Sequence, residues 1–202
     1  SPYNGIKGYN IDILANSEEQ AKTSFNDIYE IVTDPPPQFA KAMKSNYTAT
    51  KEDICCKVTK SHIRYNTSSA KTKDSKRTGC VLIDEKHAYL STDGENINVL
   101  TSGLGKVPED RTITISSDGK NRGGLLDQDK DKMKDILKEY NPENRTLPFW
   151  CHIENEEEWK DPDKWIKSIP SLNDSAFAAI KRRIAKEVKD LSLIHISEPT
   201  RP

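Results

Sequence analysis

The sequence predicts an α/β protein with a mainly parallel sheet flanked by helices. Short apolar strands alternate with amphipathic helical segments through residues 11–153, which is the pattern of strands joined by crossover helices. The most apolar stretch, residues 80–83, is continuous and therefore suits a parallel strand that is covered on both faces. Because only 34% of the 202 residues are apolar, the core must be concentrated in a few such segments.

Overall composition argues against a membrane or secreted protein. There are 31 basic and 32 acidic side chains, so the net charge of −1 gives no general attraction to nucleic acid or membrane. No apolar run approaches the roughly 18 residues that span a bilayer, and the first residues lack the pattern of a secretion signal. The cysteines show no metal-binding spacing and are predicted to be reduced thiols: Cys55, Cys56, Cys80 and Cys151.

The first predicted unit is a strand followed by a helix. Residues 11–15 form an apolar strand, and Ser17 is placed to cap a helix with Gln20 at its third position, as in a capping box. The helix then carries one apolar stripe: Ala21, Phe25, Ile28 and Val32. Three prolines at 35–37 end this helix, so the unit is expected to bury one helical face on the sheet.

A basic region follows the prolines. Residues 41–77 contain ten Lys or Arg against three acids, with short strand signals at 54–58 and 62–65. The polar loop within this region carries the best candidates for contacts with DNA phosphates: Lys71, Lys73, Lys76 and Arg77. A solvated basic face explains the same charge without any ligand, and both interpretations stay open.

Strand and helix signals continue to alternate after the apolar strand. We predict a short helix at 97–104, a buried β-branched strand at 112–115, an amphipathic helix at 125–140 and a further strand at 147–153. Beyond that point residues 154–163 carry six acids against one lysine. A proline in the first turn then predicts a short helix containing Trp165, and an apolar stripe predicts a last helix over 177–191.

The apolar strand ends in two acids, Asp84 and Glu85, which is the pattern of a Walker B motif. Parallel sheets open their ligand crevice at the carboxyl ends of the strands. An aspartate placed there can hold Mg²⁺, usually through water, and the next glutamate can orient or deprotonate an attacking water. A strand-end turn or a helix cap is the alternative explanation of the same two acids.

A second strand, at 112–115, ends in the small hydroxyl residues Ser116 and Ser117. In motor ATPases such a strand lies beside the Walker B strand, and its end senses the γ-phosphate. A Ser/Asp/Gly turn after a strand explains the local pattern without any ligand. The pair of strand ends together therefore favours a nucleotide site more than either end does alone.

Four segments carry a likeness to a known family. They are residues 8–25, 67–74, 96–108 and 165–172. On these segments, which stand in the family's order, the chain resembles the large terminase subunit of tailed bacteriophages over residues 5–190. Such collinearity is far more specific than any single motif.

The resemblance implies a P-loop ATPase core of the ASCE or RecA-like type that uses ATP and Mg²⁺. Members of this family pump double-stranded DNA into a procapsid in the cytoplasm of the bacterial host. They work with a portal protein and a small terminase subunit, as a ring of identical subunits and without a membrane. By resemblance, Asp84 is the Mg²⁺-associated acid, Glu85 the catalytic base, and Ser116 and Ser117 belong to the motif that couples hydrolysis to movement.

The resemblance also implies a division of the chain. No G-x-x-x-x-G-K-[ST] motif occurs, so residues 1–153 are expected to be the C-terminal part of the ATPase domain, with its phosphate-binding loop upstream. Residues 154–191 are expected to be a linker and bracing helix that lead to an RNase H-like nuclease. Residues 192–202 look like translated sequencing-adapter DNA and are expected to be an artefact. The fragment alone is expected to be inactive.

Departures from the family pattern leave open a decayed prophage gene, and two other functions stay open as well. Lys86 places an extra cation directly after the two acids, and Ile169 stands where the family has Asn. The four residues 84–87 also satisfy the form of a DExH-type nucleic-acid helicase. A catalytically dead module that docks on the portal or on the small terminase subunit is the alternative from a different functional class.

Overall fold

The computed structural model describes residues 5–67, 77–119, 122–171 and 173–197 and divides the chain into two units, 1–140 and 141–202. The strands are β1 (Asn10–Ala15), β2 (Tyr47–Ala49), β3 (Ile54–Cys56), β4 (Ser61–Thr67), β5 (Thr78–Asp84) and β6 (Arg111–Ile115). The α-helices are α1 (Glu18–Thr33), α2 (Pro37–Asn46), α3 (Gly94–Thr101), α4 (Leu125–Lys138), α5 (Glu156–Lys160) and α6 (Asp174–Ser197). Short 3-10 helices occupy Lys86–Ala88, Ser91–Asp93 and Pro162–Lys167.

All six strands belong to one mixed sheet in the first unit, in the order β2-β3-β4-β1-β5-β6. The pairs β4–β1, β1–β5 and β5–β6 are parallel, whereas β2–β3 and β3–β4 are antiparallel. The predicted α/β fold with a mainly parallel sheet is therefore confirmed. The antiparallel strands are confined to one end of the sheet, and the two acids follow β5 in its parallel part.

The core lies on both faces of the central strands because their residues alternate. Ile13 of β1 packs with Phe25 of α1 and Ile54 of β3 on one face. Leu14 packs with Val81 and Ile83 of β5 on the other. These side chains are almost completely buried, so the strand that leads to the two acids is held from both sides. This burial matches what the continuous apolar run at 80–83 predicts.

The first helix begins where the sequence predicts. The Ser17 hydroxyl accepts a hydrogen bond of 3.2 Å from the backbone N–H of Gln20, which satisfies one of the free amides at the helix start. The prolines at 35–37 do end α1, but Pro37 also begins α2, a helix that the sequence analysis missed. Proline is well tolerated in a first helical turn because its missing N–H has no partner there.

The prediction of a buried strand at 112–115 is wrong in its burial. These residues do form β6, but β6 is an edge strand that pairs only with β5 in the described part of the chain. Its side chains are largely exposed, with Ile113 at 43% and Ile115 at 54% of their full accessibility. β-Branched composition indicates a strand but does not reveal how many neighbours that strand has.

The described secondary structure of the second unit consists of helices, which follow an irregular segment at 141–155. The strand predicted at 147–153 is wrong, because this segment forms neither strand nor helix, and Leu147 and Phe149 are exposed. An apolar run needs a neighbouring strand to become part of a sheet, and the described part of this unit has none. The short helix containing buried Trp165 is confirmed, as is the last helix, and α6 continues to Ser197. No helix among the described residues is long and apolar enough to cross a membrane.

Candidate active site

Asp84 is the last residue of β5 and stands at the carboxyl edge of the parallel part of the sheet. Its Oδ2 atom accepts a hydrogen bond of 2.7 Å from the Ser24 hydroxyl of α1. Its Oδ1 atom accepts one of 3.0 Å from the backbone N–H of Glu85. The carboxylate is therefore oriented by one contact from the neighbouring helix and one from the chain that follows it.

Glu85 directly follows the strand and has left-handed backbone angles, φ +50° and ψ +50°. A non-glycine residue in this region carries a conformational cost of order 1 kcal/mol and is typical of functional turns. The change in backbone direction ends the strand, so the Glu85 side chain leaves the sheet alternation that positions Asp84. Its Oε2 atom lies 2.8 Å from Nδ1 of His87.

Ser116 and Ser117, at the end of the adjacent strand β6, lie beside the same group. The Ser116 hydroxyl accepts a hydrogen bond of 3.0 Å from the backbone N–H of His87 and lies 3.2 Å from its Nδ1. The Ser117 hydroxyl is 3.5 Å from Oε2 of Glu85, at the outer limit of a hydrogen bond. Glu85 and Ser116 therefore meet at His87, and Ser117 lies beside Glu85.

Gly119 makes room for His87. A Cβ atom at this position would lie 2.2 Å from Cδ2 of the imidazole, which is far inside van der Waals contact. Because the ring could not keep its place beside Glu85 and Ser116 if residue 119 had a side chain, glycine is required here for the observed geometry.

Lys86, the extra cation predicted beside the acids, pairs with a different carboxylate. Its ammonium group forms an ion pair with the carboxylate of Asp129 on α4, and both side chains are mostly buried. The lysine thus fixes the start of the 3-10 helix after Glu85 against α4. Its charge is compensated locally, so this departure from the family pattern leaves the two acids with their own partners.

The predicted DNA contacts fall mostly outside the structure. Lys71, Lys73 and Lys76 lie outside the described residues. Arg77 is described: it is exposed, and its backbone carbonyl accepts a hydrogen bond of 3.0 Å from the side chain of Asn10. This contact anchors the residue just before β5 to the start of β1.

Two residues of the site, Ser24 and His87, were missed in the sequence analysis. Ser24 is one polar residue among several in α1, and only the packing of that helix on β5 brings it to Asp84. His87 had a signal in the DExH form of residues 84–87. That form does not reveal that the imidazole contacts both Glu85, after β5, and Ser116, after β6.

The donor chemistry around Asp84 suits a hard divalent cation. Carboxylate and hydroxyl oxygens are the ligands that Mg²⁺ prefers, and Mg²⁺ keeps several of its waters when one or two carboxylates hold it. No group of three or more His, Cys, Asp or Glu side chains in the described ranges could hold a metal ion by itself. Asp84 therefore fits a Mg²⁺ ion that takes its other ligands from water and from a bound phosphate.

Comparisons with known proteins agree with the observed fold. The crystal structure of the HK97 bacteriophage large terminase matches the fold with a TM-score of 0.68 at 16% sequence identity. The match covers 90% of this chain and 37% of that one, so the chain spans well under half the length of the solved terminase. No curated protein matches the chain.

The family model for the ATPase domain of the terminase large subunit matches residues 6–135. This range contains the whole sheet, both acids and both serines of the site. With the match extending over more than half of its residues, the chain belongs to the family of terminase large subunit ATPase domains.

Proposed function

We propose that this chain is part of a phage DNA-packaging motor that hydrolyses ATP with Mg²⁺ and drives double-stranded DNA into a procapsid. The observation that carries the proposal is the meeting of two strand ends around His87, with Asp84 and Glu85 on one and Ser116 and Ser117 on the other. In open parallel sheets, ligands bind at this carboxyl edge.

Each residue of the site has a distinct part in this proposal. Asp84, oriented by Ser24, would hold a Mg²⁺ ion, which would supply positive charge to neutralise the nucleotide phosphates. Glu85 accepts a proton from the attacking water. This role requires a carboxylate that lies near the reacting phosphate and points in a different direction from the carboxylate of Asp84. His87 contacts both Glu85 and Ser116, so a movement of Glu85 would displace His87 and change its contact with the strand end that carries Ser116 and Ser117. This link suits the coupling role of that strand end.

We further propose that the phosphate-binding loop and a nuclease domain belong to parts of the parent protein outside this chain. The exposed edge strand β6 supports a phosphate-binding loop outside this chain. Parallel sheets are normally covered, whereas Ile113 and Ile115 are exposed to solvent. A strand that carries the loop would cover this edge. Residues 1–153 then belong to the ATPase domain, and residues 154–191 lead to the nuclease, with 192–202 an adapter-derived artefact.

The partners follow from the same proposal. A packaging motor engages a portal protein, a small terminase subunit and further copies of itself in a ring. The basic residues Lys71, Lys73, Lys76 and Arg77 are our candidates for the contact with DNA phosphates. Replacing all four by alanine in the complete protein should weaken binding to duplexes of every sequence and lower the salt dependence of binding by roughly 1 per lost contact.

The test uses the complete protein encoded by the reading frame that contains this sequence. Glu85→Gln should reduce ATP turnover by about 10²- to 10⁴-fold while nucleotide binding persists, since only the base is removed. Glu30→Gln, the same change at an exposed position of α1, is the matched control and should leave turnover unchanged. Unchanged turnover in Glu85→Gln would overturn the assignment of the base.

The chain alone should show no ATPase activity. Measurable turnover that Asp84→Asn abolishes would contradict this expectation. The helicase alternative is distinguished by DNA-dependent strand separation without packaging. A catalytically dead docking module would give no turnover even in the complete protein, and therefore no activity for Glu85→Gln to remove.

A further inference from the structure

A second cluster of reactive groups lies on the antiparallel end of the sheet. Cys55 of β3 and His62 of β4 are direct cross-strand partners, and the Cys55 sulfur is 3.8 Å from Nε2 of His62. The other ring nitrogen, Nδ1, is 2.9 Å from each carboxylate oxygen of Asp53. A thiol, an imidazole and a carboxylate thus stand in the order of nucleophile, base and orienting group.

The hydrogen-bond partners determine which nitrogen carries the proton. An ionised carboxylate only accepts hydrogen bonds, so Nδ1 of His62 must donate to Asp53. Arg64 Nη2 is 3.3 Å from the same nitrogen, but two donors cannot bond to each other, and the shorter contacts to the carboxylate decide the assignment. The lone pair of Nε2 therefore faces the Cys55 sulfur and can accept its proton.

Asp53 is held in the charged form that this arrangement needs. Burial by itself raises the pKa of a carboxyl group, but hydrogen bonds from His62 and Arg64 outweigh it and lower the pKa of Asp53. The Arg64 Nε atom lies 2.6 Å from Oδ1.

The cluster is separate from the candidate nucleotide site. Ile54 and Ile63 alternate with Cys55 and His62 and pack toward Phe25, so the cluster lies on the face of the sheet opposite α1. In the strand order, β4 and β1 stand between β3 and β5. Cys55 is partly exposed, whereas the adjacent Cys56 is buried.

We propose that Cys55 is a modification site, a thiol that His62 activates for reaction with hydroperoxides. The Cys55 proton moves to Nε2 of His62, and the thiolate attacks one oxygen of the O–O bond. An S–O bond forms as the O–O bond breaks, and the departing alkoxide or hydroxide takes the proton from His62 and leaves as alcohol or water. The sulfur loses two electrons to the peroxide and becomes a sulfenic acid.

The experiment follows sulfenic acid formation with hydrogen peroxide at pH 7, trapped by dimedone and assigned by peptide mass spectrometry. Cys151 is the matched thiol, since it is also partly exposed and belongs to the other unit. Cys55 in the native chain should react about 10-fold faster than Cys151 and about 10-fold faster than Cys55 in urea-unfolded chain. The comparison with unfolded chain needs no variant and therefore tests the proposal even if a substitution weakens the fold.

Two variants then assign the roles. His62→Gln and Asp53→Asn should each bring the Cys55 rate down to that of Cys151, while Lys60→Gln, a nearby exposed change, should leave it unchanged. Equal rates for Cys55 and Cys151 in the native chain, or a Cys55 rate that His62→Gln does not lower, would overturn the proposal.

Discussion

The Ser24 hydroxyl on α1 donates a 2.7 Å hydrogen bond to the Asp84 carboxylate at the end of β5, and so one helix side chain orients the first acid of the site. Ser24→Ala removes this bond and should lower the free energy of unfolding by about 1.5–3 kcal/mol, as for a hydrogen bond to a charged group. Ser24→Thr retains the hydroxyl, so its free energy of unfolding should fall by less than that of Ser24→Ala. Chemical denaturation of both variants checks this, and equal losses would contradict a role for the hydroxyl.

Gly119→Ala should disturb His87 without disturbing the rest of the sheet. The added Cβ would meet the imidazole at 2.2 Å, so the ring must move away from Glu85 and Ser116. We expect a shift of the His87 side-chain NMR signals and slower ATP turnover in the complete protein. Gly94→Ala is the control, because its Cβ would meet only Leu125 at 3.7 Å and should leave both readouts unchanged.

Tyr89→Phe should stabilise the protein. The Tyr89 hydroxyl is fully buried and has no hydrogen-bond partner among the described residues. Burial, reinforced by the charges of Asp93 and Asp84, raises the pKa of this tyrosine, so the hydroxyl stays neutral. Removing an unsatisfied buried hydroxyl should increase the free energy of unfolding by about 1 kcal/mol.

Tyr9→Phe provides the matched comparison for that change. The Tyr9 hydroxyl donates a 2.8 Å hydrogen bond to the backbone carbonyl of Glu109, so its loss should destabilise the protein by about 1 kcal/mol. Thermal or chemical unfolding of both variants measures the two effects. If both variants shift in the same direction, the difference in hydrogen bonding is not what determines their stability.

Asp53→Asn should destabilise the protein in a pH-dependent way. Although burial opposes ionisation, hydrogen bonds from His62 and Arg64 hold the pKa of Asp53 below its ordinary value of about 4. A lowered pKa in the folded state adds stability that is complete above the unfolded pKa and is lost as pH falls through the folded pKa. The difference in free energy of unfolding between wild type and variant should therefore be largest near pH 7 and shrink below about pH 4. Chemical denaturation of both proteins across this pH range measures the difference.

The control for the pH experiment is Asp131→Asn. Asp131 is exposed and forms an ion pair with Lys134, one helical turn away, at 3.2 Å. Exposed pairs of this kind contribute little to stability. The free energy of unfolding of Asp131→Asn should differ little from that of wild type at every pH. A difference as pH-dependent as that of Asp53→Asn would show that the effect does not come from the His62 and Arg64 contacts.

The features that could be predicted are those that depend on local pattern. The apolar run at 80–83 predicts a buried parallel strand because such a strand shows apolar residues on both faces, and the two acids follow it directly. The cap at Ser17 is likewise a local device. These features needed no knowledge of the rest of the fold.

What could not be predicted depends on distant neighbours. Ser24 meets Asp84 from 60 positions earlier, and Ser116 meets His87 from 29 positions later. The same limit explains the error at 147–153, where the apolar run has no adjacent strand in the described part of its unit. Pro37 was missed as a helix start because proline both ends one helix and begins the next.

The antiparallel strands β2, β3 and β4 lie within residues 47–67, whereas β4 and β5 each pair with β1 across long stretches of sequence. Contacts between residues close in sequence form faster because closing a short loop costs less entropy. We therefore expect this meander to form early during refolding and to provide the edge on which β1 and then β5 assemble. In pulse-labelled hydrogen exchange, amides of β3 should gain protection before those of β5, so the Cys55 cluster would be in place before the strand end that leads to Asp84 and Glu85.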